Sequence, residues 1–160
     1  MTRITLAAAI AIALSACVTA PGPLRGEFPE VTPKAAGEGE ALGEVVRWGG
    51  LIAKVEPLSD RTCFQVVGKR LASSGRPAQD DQTTGRFLAC RAGFYDPKIF
   101  EEGREITIIG KIDRIEARAV GEYEYRHPRL AADVIYLWPV ERNDDNPVHY
   151  NVGFGYYRWW

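Results

Sequence analysis

The chain has 160 residues, with 21 acidic and 20 basic side chains, a formal net charge of −1 and 46% hydrophobic residues. That balance excludes the basic excess of a nucleic-acid binder and the acidic block of a disordered or metal-buffering tail. The length and apolar content suit one packed core of ordinary domain size.

The first element in chain order is the apolar run Ile4–Leu14, 11 residues broken only by Thr5 and preceded by Arg3. A spanning helix needs about 20 apolar residues, so the run predicts a cleaved signal peptide over residues 1–16 instead. Leu14-Ser15-Ala16-Cys17 matches the bacterial lipobox. In such a site the Cys17 sulfur takes a diacylglyceryl group, and the amine freed by cleavage before Cys17 is acylated. Several acyl chains anchor a protein stably where a single one holds it only marginally. The alternative is a secreted protein with an incidental cysteine near its cleavage site. Val18 follows the cysteine where an aspartate would retain the chain at the inner membrane, which favours outer-membrane sorting.

Residues 17–43 are rich in Pro, Gly, Ala and Glu, with Pro21, Pro23, Pro29 and Pro33 spread through them. So few large apolar residues predict a flexible tether holding the domain off the bilayer. Folded structure is expected over 44–140. Val45–Val55 reads as a long strand bent at Gly49-Gly50, and Thr62–Val67 as a second, β-branched one. Ala72–Thr84 is a polar loop, and Arg86–Cys90 a short third strand. Asp96-Pro97 opens a brief helix through Glu102 that Gly103 ends. Arg104–Ile115 is a fourth strand with Gly110 at its centre. Ala117–Arg129 alternates like a fifth, and Val134–Trp138 is the last.

This order predicts a mainly β fold, a small OB-like barrel of five or six strands with one short helix. A β-sandwich is the alternative, because strand count does not separate the two. Cys63 and Cys90 are an even pair in an oxidising compartment and are expected to form a disulfide rather than stay as buried thiols. The last segment, 141–160, is crowded with aromatics: Tyr150, Phe154, Tyr156, Tyr157, Trp159 and Trp160. They point to contact with a partner or a membrane interface. A tail folded back as a cap or edge strand is the other reading, and a disordered terminus a third.

Val46-Arg47-Trp48-Gly49-Gly50-Leu51-Ile52 after a lipobox resembles the opening of the Slp family of starvation-inducible outer-membrane lipoproteins. The likeness continues at Gly85-Arg86-Phe87-Leu88, Gly93-Phe94-Tyr95-Asp96-Pro97, Gly103-Arg104 with Gly110, Gly121-Glu122-Tyr123-Glu124-Tyr125, Pro128 and Leu137-Trp138. Arg126-His127 departs from the tighter tyrosine–proline spacing of the family. The resemblance implies a lipid-anchored outer-membrane protein facing the periplasm, tied to starvation or stationary-phase stress, with no catalytic residues to carry over.

The residues agree with that silence. Glu122 and Glu124 read as a solvated face more than as an acid–base pair. Asp133 reads as a structural charge seeking Arg86 or Arg104. Ser73-Ser74 lack a neighbouring histidine. His127 and His149 show no ligand spacing with the cysteines, so no metal and no cofactor is expected. The expected protein is a non-enzymatic envelope factor, and the alternative is a binding module for a cell-envelope glycan, lipid or protein partner.

Overall fold

The computed structural model describes residues 19–140. The signal peptide, Cys17 and the aromatic residues Tyr150, Phe154, Tyr156, Tyr157, Trp159 and Trp160 lie outside the described residues. Five strands follow one another: β1 (Val45–Pro57), β2 (Arg61–Lys69), β3 (Gly85–Ala92), β4 (Glu105–Val120) and β5 (Tyr123–Leu137). They close into a barrel in the order β1-β2-β3-β5-β4. Only β3 and β5 run parallel; the other neighbours are antiparallel. This is the OB arrangement, and closure rules out the sandwich.

Alternation along the strands builds the interior. Val46 and Trp48, Phe64 and Val66, Phe87 and Ala89, Ile106 and Ile108, and Leu130 and Ala132 all point inward and are buried. Bending comes from two devices. A Cβ on Gly50 would stand 1.9 Å from the Val67 carbonyl oxygen, so only glycine allows β1 and β2 to approach so closely there. Register also slips by one residue at Ala53 in β1, Asp113 in β4 and Asp133 in β5, and each such bulge adds twist and bend.

Each barrel mouth is stoppered by apolar groups. At one, Tyr95 and Phe100 of the β3–β4 connection pack on Phe64, with ring centroids 5.6 and 5.4 Å away. At the other lie Val31, Ala36 and Ala41, around the helix α1 (Pro33–Gly37) that Thr32 caps. The Trp48 indole N–H donates to the Val31 carbonyl at 2.7 Å and fixes that stopper to β1.

Three expectations are corrected. The flexible tether is not found over residues 19–43, which form a strap packed along the barrel wall. Its sparse apolar residues need no core of their own, because β4 and β5 supply one: Ala20 and Leu24 are buried with Ile109 and Trp138, and Phe28 packs beside them. The short helix belongs to this strap. The expected helix at 96–102 is a single turn, with Ile99 and Phe100 N–H both donating to the Asp96 carbonyl; one turn fixes too many dihedrals to propagate unaided. Finally, Ala117–Arg129 is no separate strand. It spans the Gly121-Glu122 turn of one long β4–β5 hairpin, which places Glu122 in the turn and Glu124 on β5.

Candidate functional site

In OB barrels the outer face of β2–β3, flanked by the β1–β2 and β4–β5 connections, is the usual recognition surface. Cys63, Gln65, Leu88 and Cys90 face outward here, since Phe64, Phe87 and Ala89 face in. An outward residue on an open wall would be wet, yet Leu88 is fully buried, and Cys63 and Cys90 nearly so. The cover is the outer half of the β4–β5 hairpin, residues 113–128, an arm that leaves the barrel at the Asp113 bulge.

Ion pairs hold the arm across that wall. Arg118 on β4 donates to Glu56 on β1 at 2.8 Å, although 62 residues separate them. Strand order puts β2 and β3 between Glu56 and the β5–β4 pair, and β4 meets β1 only over Val45–Leu51. The contact therefore crosses the outside of β2 and β3. Lys54 and Gln65 also reach Glu56, at 2.9 and 3.3 Å. Burial works to raise the Glu56 carboxyl, but the hydrogen bonds from Lys54 and Arg118 overcome it and hold the group below its ordinary value. Arg118 also pairs with Glu116 at 3.0 Å. At the root of the arm Arg129, about nine-tenths buried, binds Asp113 through Nε at 3.0 Å and through Nη2, with Glu116 at 3.7 Å. The Asp113 carboxylate raises the Arg129 guanidinium above its ordinary value. A buried cation needs such partners, and Arg129 has two.

His127 lies in the same layer and is buried. Its Nδ1 stands 2.9 Å from the Tyr125 carbonyl oxygen, so the neutral tautomer that donates from Nδ1 fits. Nε2 is buried with no hydrogen-bond partner among the described residues. Burial pushes the His127 pKa down, and the Arg86 and Arg118 charges act in the same direction.

Two larger hollows among the described residues are also structurally engaged. A groove of about 460 Å³ runs between the strap and β1–β2, past Phe28, Val31, Arg47, Trp48, Lys69 and Arg70. Its cations are committed: Arg47 donates to the Leu24 carbonyl while covering the Phe28 ring, and Lys69 and Arg70 both bind Asp80. A second hollow of about 410 Å³ holds Arg76, Gln79 and Glu105 near Trp138, where both Arg76 and Gln79 donate to Glu105. These contacts hold the elements together.

Of the residues singled out in the sequence, Cys63 and Cys90 are direct cross-strand partners joined by a disulfide with an S–S distance of 2.07 Å. Asp133 is exposed at its bulge and is not the structural charge. That role falls to Asp113 with Arg129, a pair the sequence reading missed. Recognising Gly121-Glu122 as a hairpin turn would have placed Arg129 opposite Arg114, next to Asp113. Phe94 and Tyr123 are exposed, while Trp48 and Trp138 are buried.

The profile of the outer membrane lipoprotein Slp family matches residues 14–160. An uncharacterized protein of Haemophilus influenzae is 27% identical over 94% of this chain and 86% of its own length. The uncharacterized lipoprotein YeaY of Escherichia coli is 28% identical over 76% of this chain and 64% of its own. The outer membrane protein Slp of Escherichia coli is 24% identical over 100% of this chain and 87% of its own.

Proposed function

This chain belongs to the outer membrane lipoprotein Slp family, and on that basis we propose that it is a non-enzymatic envelope factor anchored through lipid on Cys17 and serving in starvation or stationary phase. In this reading residues 1–16 are removed, the Cys17 sulfur carries diacylglycerol, its amine carries a further acyl chain, and the barrel faces the periplasm. The observation that carries the non-enzymatic part is the covered β2–β3 wall. The surface on which an OB barrel would bind a ligand is closed by the chain's own arm, and Glu56, Asp113 and Glu116 are each held by arginines. Two relatives that carry lipoprotein or outer-membrane names support the location.

The test is expression of the full chain in a Gram-negative host, with membrane fractionation and mass analysis of the mature N-terminus. A triacylated Cys17 in the outer-membrane fraction, shielded from protease added to intact cells, and a rise in abundance on entry to stationary phase are expected. Cys17→Ser should leave an uncleaved precursor without lipid. A soluble chain cleaved elsewhere overturns the anchoring, and digestion in intact cells overturns the orientation. The second reading, a binding module, is favoured by one feature: exposed apolar side chains on the loops at one barrel mouth.

A further inference from the structure

We infer that the mouth of the barrel formed by the β1–β2 and β3–β4 connections is a lipid-docking face, which seats the domain on the membrane surface. The inference rests on the lipid anchor at Cys17 proposed above and deepens it.

Single exposed apolar residues are ordinary on a protein surface. Here they are grouped. Leu58 is 55% exposed, Phe94 72%, Ile99 55% and Val140 63%. Leu58 belongs to the β1–β2 connection, and Phe94 and Ile99 to the β3–β4 connection. Hydrogen bonds knit these loops into one platform. The Gly93 N–H donates to the Asp60 carbonyl, and the Thr62 hydroxyl donates to the Gly93 carbonyl at 2.9 Å while accepting from the Tyr95 N–H at 3.1 Å. Arg104 ties in the rest, donating to the carbonyls of Ile99 and Trp138 at 3.1 and 2.9 Å. Val140 lines the same hollow as Gly103 and Arg104. The apolar tips therefore stand on a fixed base, with Tyr95 and Phe100 filling the mouth beneath them.

The strap says what covers this face. It runs from α1 at the opposite mouth along the outside of β4 and β5. Leu24 lies where its carbonyl meets Arg47, opposite Ile109. Ala20 ends the packed stretch in the cluster with Trp138, whose N–H donates to the Glu105 carbonyl beside Arg104. From Ala20 back to Cys17 is three backbone steps, at most about 10 Å. A lipid on Cys17 thus draws the loop platform against the bilayer, and no long tether intervenes. Charge points to a zwitterionic surface and insertion by apolar contact. Arg61, Lys98 and Arg104 are outnumbered on these loops by Asp60, Asp96, Glu101 and Glu102, so no cationic excess is present to draw an anionic surface. At the far mouth Tyr123 of the arm lies beside Lys34 and Glu38, pointing away from lipid.

The experiment uses the lipidated full chain on vesicles of phosphatidylethanolamine and phosphatidylcholine. Nitroxides are placed one at a time by Phe94→Cys, Ile99→Cys and Tyr123→Cys; Cys17 is blocked by lipid, and Cys63 and Cys90 by their bond. Positions 94 and 99 should be relaxed by oxygen and shielded from a water-soluble nickel chelate, and position 123 the reverse. All three sites equally open to nickel, on a chain whose mass shows the lipid, overturns the docking face and leaves the anchor standing. A chain without lipid at Cys17 overturns the anchor itself. A second measurement needs no anchor. In residues 17–160 carrying Cys17→Ser, which lack both the signal peptide and the lipid, adding Phe94→Ser with Ile99→Ser should lower vesicle partitioning at least about tenfold, with no change on raising salt. Unaltered partitioning, or partitioning abolished by salt, counts against apolar docking.

Discussion

The barrel wears two coverings of opposite chemistry. The strap over 19–43 lies on the β4–β5 wall and is held by apolar burial: Leu24 and Ala20 against Ile109 and Trp138, with Phe28, Val134 and Tyr136 around them. The arm over 113–128 lies on the β2–β3 wall and is tied by Arg118 to Glu56 and by Arg129 to Asp113. Apolar burial is non-directional and indifferent to moderate salt, whereas partly exposed ion pairs are screened. The strap is the covering that lies next to the anchor proposed at Cys17. The arm is a cover whose attachment depends on ionic conditions and pH.

The largest effect belongs to the strap. Leu24→Ala should cost about 2–5 kcal/mol of unfolding free energy, measured by urea denaturation, and equally at low and high salt. A loss below about 1 kcal/mol would mean that the strap contributes little to stability. Next comes the wall under the arm. Replacing Cys63 and Cys90 by serine removes a cross-link of 27-residue separation, a loss of about 3 kcal/mol in the chain-entropy account. An unchanged denaturation midpoint would show that the arm and barrel pairing alone fix β2 to β3. Smaller still is Arg118→Met, at about 1 kcal/mol or less. A double-mutant cycle with Glu56→Gln should show a coupling that shrinks with salt, and amide exchange within 114–126 should speed up. Salt-independent coupling would place the arm in the same class as the strap.

The barrel was legible because its signals are local and periodic. Alternation at Val46 and Trp48, Phe64 and Val66, and Ile106 and Ile108 marks an inner face, and glycines mark bends. The two coverings were not legible, for different reasons. The strap was read by its own composition, which gives it no core, whereas Ile109 and Trp138 offer one from outside. The arm was hidden by a missed turn: reading Ala117–Arg129 as one strand kept Asp113 apart from Arg129 and left Asp133 as the apparent structural charge. Burial of Leu88 carried a weak signal, a leucine at an outward position of a strand. The loop platform was half visible, since Phe94 and Ile99 stand out beside turn residues, but only the fold brings Leu58 next to them and Ala20 near by.

Acid supplies the finest distinction between the coverings. His127 of the arm is held neutral, its pKa lowered chiefly by burial and then by Arg86 and Arg118, although Glu116 pulls the other way. The folded state therefore binds fewer protons than the unfolded chain in this range. The stabilisation is complete above the unfolded value of about 6.5 and is lost as pH falls from there through the lower folded value. Glu56, also lowered, acts in the same sense but only below its ordinary value of 4.5. Between these windows His127 acts first. Urea midpoints should fall from pH 7 to pH 5, and His127→Asn, which keeps a donor for the Tyr125 carbonyl, should flatten that slope. Amide exchange at pH 5 should quicken in the arm before it does so around Leu24, because no histidine lies in the strap. Simultaneous loosening of both would place the acid-sensitive step in the barrel shared by the two coverings and not in the arm.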